Sequence, residues 1–384
     1  MRGIFLWLWY TIAMRKSTEC RTISYLLLAV LIAACTAFAW GCTDAKDGSA
    51  PAKSPDLTRY DNGYGTYFVT GTRIAHEADK SSSIAADWSD SPEARSPAGF
   101  EVTEEKGIVY SHTAVTDGKD KGQPLDLRMN LMYAKAGQDS AQADGEGDRP
   151  DLRPVILLIP GGGFVTCRID NKYTNVQKYL AAHGYAVAIM EYHVIGQGRY
   201  MDAAADVRSA VEWLREHGAE HGLDKDRIAL MGNSAGGYVA ALAACEDGSD
   251  IRCVVNFYGL SDLVNNKADY EEAAIQAHHK PESTDSQFVN GVESGKALTD
   301  DLQEAAKADP AFYIDGKEPP FLHLHGDADL LVSPSQSVHL HEALLAEGVS
   351  STRYTVAGAG HGDAAFRTEA ALDIVIGFLD QYCR

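Results

Sequence analysis

The sequence predicts an α/β fold with a mostly parallel central sheet and helices on both faces. Three observations carry this. From residue 155 onward, short apolar runs alternate with amphipathic stretches at the spacing of successive strand–helix units. One junction between such a run and the next helix reads Gly232-Asn233-Ser234-Ala235-Gly236. The composition is globular, with 384 residues, 45% hydrophobic and 23% charged.

The formal charge of −20 argues against a nucleic-acid partner, which requires a basic face. Seven cysteines are too few for a disulfide-built scaffold, so a hydrophobic core must hold the fold.

No charged residue occurs between Arg21 and Asp44, and Arg15, Lys16 and Arg21 precede the apolar stretch. A basic flank followed by an apolar run and small residues describes an export signal. Left uncleaved, it is long enough to anchor the chain in a membrane. Ile32-Ala33-Ala34-Cys35 resembles a bacterial lipobox, and Ala39-Trp40-Gly41-Cys42 is a second candidate. Residues 1–41 are thus expected to be a signal peptide, lipoprotein signal or anchor. Each places the rest of the chain outside the cytoplasm, with a membrane touched only through this end. Residues 42–100 read as a polar tether and lead-in, with 67–70 as a short stretch that packs on the main domain.

The main domain is expected over 101–384. Residues 107–115 and 125–133 read as two strands of an edge hairpin. The acidic stretch 134–151 reads as a solvated loop. Val155-Ile-Leu-Leu-Ile159 is a continuous apolar run, as in a strand buried on both faces. Strands follow at 185–190, 227–231, 253–257, 321–324 and 352–356. Helices are expected at 173–183, 201–217, 236–245, 335–346 and 365–382. The segment 261–315 breaks the alternation. It reads as an insertion over the strand ends, a small cap with helical stretches near 270–278 and 299–306.

The Gly-x-Ser-x-Gly turn lies between a strand and a helix, where glycines permit a sharp bend that lifts the serine hydroxyl above the sheet. A serine hydroxyl needs a base, and the base needs an orienting acid. His361, in Gly358-Ala-Gly-His-Gly362, follows the last strand, where sites of open α/β sheets assemble. In His325-Gly-Asp327-Ala-Asp329, Asp329 is the candidate acid and Asp327 is expected to cap or brace the turn. The other histidine pairs, 278/279 and 339/341, read as surface residues on helices. No metal-ligand pattern is found, and no cofactor is expected. Pro160-Gly161-Gly162-Gly163-Phe164 follows a strand and can bring backbone N–H groups close to a substrate. In such a site this loop supplies one or two backbone donors to an oxyanion, and Ala235, the residue after the serine, supplies another.

These motifs, with Asp206-Val-Arg-Ser-Ala-Val-Glu-Trp-Leu-Arg215 and Phe257-Tyr-Gly-Leu-Ser-Asp-Leu263, resemble the α/β-hydrolase superfamily. The resemblance is to its bacterial esterase/lipase branch, which includes acetyl esterases and feruloyl or acetyl-xylan esterases. It covers about residue 101 to the C-terminus. It implies an α/β-hydrolase fold and a serine carboxylesterase acting on a small-molecule ester, with Ser234 as nucleophile, Asp329 as acid, His361 as base, and Gly162, Gly163 and Ala235 as the oxyanion-hole positions. The acyl groups expected are acetyl, other short acyl or hydroxycinnamoyl, including carbohydrate-linked esters. Pro160 stands where the family often has His, and Tyr192-His193 where it often has Tyr-Arg. A peptidase of the prolyl-oligopeptidase type and a non-catalytic binding protein are the alternative readings. Cys245 and Cys253 are either a disulfide or two buried thiols, and Cys167 is expected to line the pocket.

Overall fold

The structure is a computed structural model that describes residues 54–77, 80–137, 152–170 and 173–384. The export signal, both lipobox cysteines and most of the acidic loop lie outside the described residues.

Eleven strands are found among the described residues. Strand β1 (Asp56–Arg59) pairs antiparallel with β2 (Tyr67–Thr70). The other nine are β3 (Ile84–Ala86), β4 (Val102–Ala114), β5 (Pro124–Ala134), β6 (Arg153–Ile159), β7 (Ala186–Met190), β8 (Leu223–Asn233), β9 (Val254–Phe257), β10 (Phe321–Gly326) and β11 (Ser351–Val356). They form one sheet in the order β3-β11-β10-β9-β8-β6-β7-β5-β4. Pairing is parallel from β3 to β7, and the β4–β5 hairpin closes the far edge antiparallel.

The sequence of β6 shows why its run is unbroken. Val155, Leu157 and Ile159 point into one core, and Ile156 and Leu158 into the other. Successive strand side chains alternate between faces, so a strand covered on both faces must be apolar at every position. Helices α1 (Thr174–Ala182), α2 (Tyr200–His217) and α3 (Ala235–Asp247) follow strands β6, β7 and β8. On α2, Ala203, Val207, Ala210, Val211 and Leu214 are buried, the stripe expected from the period. Every residue of α3 from Ala235 to Cys245 is buried, so this helix has no polar face.

The segment between β9 and β10 holds α4 (Glu272–His278), α5 (Thr284–Asn290) and α6 (Leu302–Lys307). Helix α5 is absent from the sequence expectation. Its Thr-Asp-Ser-Gln stretch reads as polar surface, yet Thr284–Val289 are all buried, with Phe288 stacked 4.2 Å from Phe164. Helices α7 (Ser335–Ala346) and α8 (Glu369–Cys383) complete the fold. No helix among the described residues is long and apolar enough to cross a membrane.

The described residues before 101 belong to the same compact unit as those after it, a unit that spans Lys53–Arg384. Strand β3 extends the parallel sheet beside β11, and Trp88 and Ala94 enter the core. Tyr67 and Val69 pack with Tyr270 and Ala274. Elements this short carry too few residues to show a period, and their partners lie some 200 residues or more downstream.

Candidate active site

Ser234 sits between β8 and α3 with φ 54° and ψ −127°. A non-glycine residue in such a region stores about 1–3 kcal/mol of strain and persists only where its surroundings enforce it. Its neighbours supply that enforcement. A Cβ on Gly232 would lie 2.3 Å from the Gly236 carbonyl oxygen, and one on Gly236 would lie 2.1 Å from that of Ile159. The two glycines let the helix start press against the sheet, which pushes the serine outward.

His361 follows β11 in the loop that precedes α8. Its Nε2 lies 2.8 Å from Ser234 Oγ and its Nδ1 lies 2.7 Å from Asp329 Oδ2. Asp329 is fully buried in the loop after β10. Its Oδ1 accepts from the Leu331 and Val332 amides at 2.8 and 3.0 Å. Burial pushes its pKa up, but the neighbouring His361 and the hydrogen bonds from His325 and His361 outweigh this and hold the carboxyl well below its usual range. An ionised Asp329 requires the Nδ1–H tautomer of His361, which leaves Nε2 as acceptor for the serine hydroxyl. Tyr258 packs edge-on against the imidazole, with ring centroids 4.9 Å apart. Asp327 accepts from the Gly358 amide at 2.7 Å, so it braces the loop that carries His361.

The glycine loop follows β6. Tyr192 Oη donates to the Pro160 carbonyl at 3.0 Å, and the Gly161 amide donates to Asn233 Oδ1 at 3.2 Å. The residue beside the serine thus ties the two loops together, a role the sequence reading missed. Gly162 has no room for a Cβ, which would fall 1.9 Å from the Thr166 carbonyl oxygen. Gly163 has φ +60°. Gly162, Gly163 and Ala235 line the same cavity as Ser234 and His361, a space of about 310 Å³.

Two further segments outside the expected site contribute to the walls. Tyr60, Phe68 and Val69 of the N-terminal hairpin form one. The insertion contributes Asn266, Lys267, His278, Thr284 and Asp285. His278 corrects the surface expectation, since it is 2% exposed, and burial pulls its pKa down to about 4. His341 is buried as well, because α7 turns this face to the sheet. Cys167 is not part of the cavity wall; its thiol donates to the Met190 carbonyl at 3.4 Å.

Cys245 and Cys253 are not joined. Cys253 faces Cys383 instead, with Sγ atoms 3.9 Å apart, because α8 packs against β8 and brings its last residue beside the chain just ahead of β9. Among the described residues, Asp262, Asp309 and His339 have the spacing of metal ligands. Burial lowers the His339 pKa, but Asp309, 2.7 Å away, and then Asp262 raise it to about 9. Protonated His339 is itself a cation beside the two carboxylates, and its bond to Asp309 ties the end of the insertion to α7.

The BD-FAE family model matches residues 146–344, which include Ser234 and Asp329. Two relatives from Mycobacterium tuberculosis resemble the chain over most of its length. The probable carboxylic ester hydrolase LipM is 26% identical over 69% of this chain and 63% of its own length. Esterase LipC is 29% identical over 67% of this chain and 66% of its own length. The chain thus spans just under two-thirds of each of these relatives. A solved carbohydrate esterase from gut microbiota, in truncated form, superposes with a TM-score of 0.57 at 17% identity, covering 75% of this chain and 99% of that one. This likeness shows the shared α/β-hydrolase fold. With the family model matched over more than half of the sequence, the chain belongs to the BD-FAE family of the α/β-hydrolase esterase/lipase group.

Proposed function

We propose that this protein is a serine carboxylesterase that hydrolyses small acyl esters through an acyl-enzyme. The observation that carries the reading is the continuous chain Ser234–His361–Asp329, at 2.8 and 2.7 Å, opening into the cavity lined by the glycine loop. The names of the two mycobacterial relatives support it.

In this mechanism the ester carbonyl oxygen rests against the amides of Gly162, Gly163 and Ala235. Ser234 Oγ attacks the carbonyl carbon as His361 Nε2 takes its proton. Asp329 holds the imidazole and stabilises the imidazolium that forms. Each amide that meets the oxyanion contributes about 2.7–4 kcal/mol to the transition state. The C–O bond to the alcohol then breaks, and the alcohol leaves with the proton from His361. Water, deprotonated by the same nitrogen, attacks the acyl-enzyme and releases the acid.

The acyl groups proposed are acetyl, other short acyl chains and hydroxycinnamoyl. The test is turnover of a panel of acetyl, butyryl, octanoyl and feruloyl esters by the wild type and by Ser234→Ala. The variant is expected to lose about 10⁶ in kcat. Equal rates in the two proteins overturn the reading. We further propose that residues 1–41 export the chain and hold it at the cell surface, checked by fractionation with and without substitution of Cys35 and Cys42.

A further inference from the structure

The cavity beside Ser234 is mainly apolar, and its polar and charged side chains are gathered largely on one wall. Such sites are mostly apolar, with few placed polar groups. Here the insertion wall presents Lys267, Asp285, Asn266, Thr284 and His278, and Arg367 lines the His361 side. In a chain of net charge −20, the fixed charges on this cavity are two cations and one carboxylate.

The two sides of that balance are not equally satisfied. Asp285 already accepts from Asn266 Nδ2 at 2.8 Å and from Thr284 Oγ1 at 3.0 Å, and it lies 3.6 Å from His278. Lys267 is 3% exposed, and its ammonium donates to a single acceptor, the Leu331 carbonyl. The Tyr270 ring lies 5.6 Å from it. No carboxylate among the described residues lies within ion-pair distance of it. An ammonium has three protons to donate, and burying a charge without a full set of partners is unfavourable. Burial lowers its pKa to about 8, opposed by Asp285 and Asp329.

Resting on the esterase reading above, we propose that Lys267 is the centre of an anion subsite, and that the preferred substrates are esters carrying a second, free carboxylate. The cavity-facing protons of Lys267 donate to that carboxylate while the ester carbonyl lies at Ser234. No bond to Lys267 forms or breaks. The dicarboxylic acid monoester is split into the diacid and the alcohol by the route already described.

The experiment compares kcat/KM for the monomethyl esters of succinate, glutarate and adipate with that for the same esters bearing a primary amide in place of the free acid. The wild type is expected to favour the acid form at one or more chain lengths. Lys267→Met is expected to lower that acid-to-amide ratio by about tenfold or more, the worth of a hydrogen bond to a charged group. A merely structural lysine, pinning the Leu331 loop, lowers both rates together and leaves the ratio unchanged. A wild-type ratio at or below unity, or a ratio the substitution leaves unaltered, overturns the proposal. A readout without any variant guards against misfolding. Disodium adipate should slow fluorophosphonate labelling of wild-type Ser234 where adipamide does not, and equal protection by the two overturns the proposal. Failure of the esterase reading looks different, since Ser234 then neither labels nor turns over the amide-bearing esters.

Discussion

His361 Nδ1 and Asp329 Oδ2 are 2.7 Å apart, with the carboxylate fully buried and its other oxygen held by two backbone amides. The acid therefore has one orientation available, and so does the imidazole. Asp329→Asn keeps the shape but makes the wrong imidazole tautomer favourable. It is expected to lower kcat about 10⁴-fold with a much smaller change in KM. Steady-state kinetics at neutral pH checks this. The depressed pKa of Asp329 also sets a sign. Its stabilising contribution is complete above the ordinary carboxylate value of about 3.9 and is lost as the pH falls further.

The glycines around the nucleophile separate two kinds of constraint. Gly236→Ala places a methyl 2.1 Å from the Ile159 carbonyl oxygen, so backbone must move. It is expected to cost about 1–3 kcal/mol and to displace Ser234 as well. Gly163→Ala meets nothing closer than 3.6 Å, and its penalty is the positive φ alone, about 1–2 kcal/mol. Denaturant unfolding together with kcat distinguishes them, with the larger loss of kcat per unit of stability expected for Gly236→Ala.

His339 makes stability fall on the alkaline side. Its folded pKa of about 9 lies above the ordinary value, so its contribution is whole below about 6.5 and is lost as the pH rises through 9. The Tm difference between wild type and His339→Asn is expected to shrink between about pH 6 and about pH 10. A difference that stays constant across this range contradicts the ion-pair account.

The thiols offer a direct check of the packing of α8. Cys253 and Cys383 are each other's neighbours, and Cys245 is not beside either. On oxidation during refolding with a glutathione disulfide mixture, the expected cross-link among these three joins 253 to 383. Non-reducing peptide mapping reads it. A 245–253 link would contradict the placement of the C-terminal helix.

The parts of this molecule that could be read from the chain are those where local chemistry repeats or is unusual. The run at 155–159 announced a doubly covered strand because both of its faces are core. The serine turn and the glycine loop were visible because close backbone approach admits only glycine there. Of the two acids in His325-Gly-Asp327-Ala-Asp329, Asp329 lies beside His361 and Asp327 bonds the Gly358 amide. What escaped notice depends on distant partners. Strand β3 is three residues long, and its register comes from β11. Helix α5 looks polar, and it is buried because Phe288 finds Phe164. Asn233 links the two loops only once they meet. Lys267, Asp285 and His278 lie in a polar segment with no recognisable pattern, and they meet the cavity only once the insertion folds against it.

The central claim is that the hydroxyl at 234 is made nucleophilic by the imidazole at 361. Fluorophosphonate labelling followed by peptide mass mapping tests it most directly. The account predicts one adduct, on Ser234, in the wild type, and its loss in a folded His361→Ala variant. Labelling at another serine, or labelling of Ser234 at an unchanged rate without His361, would contradict it.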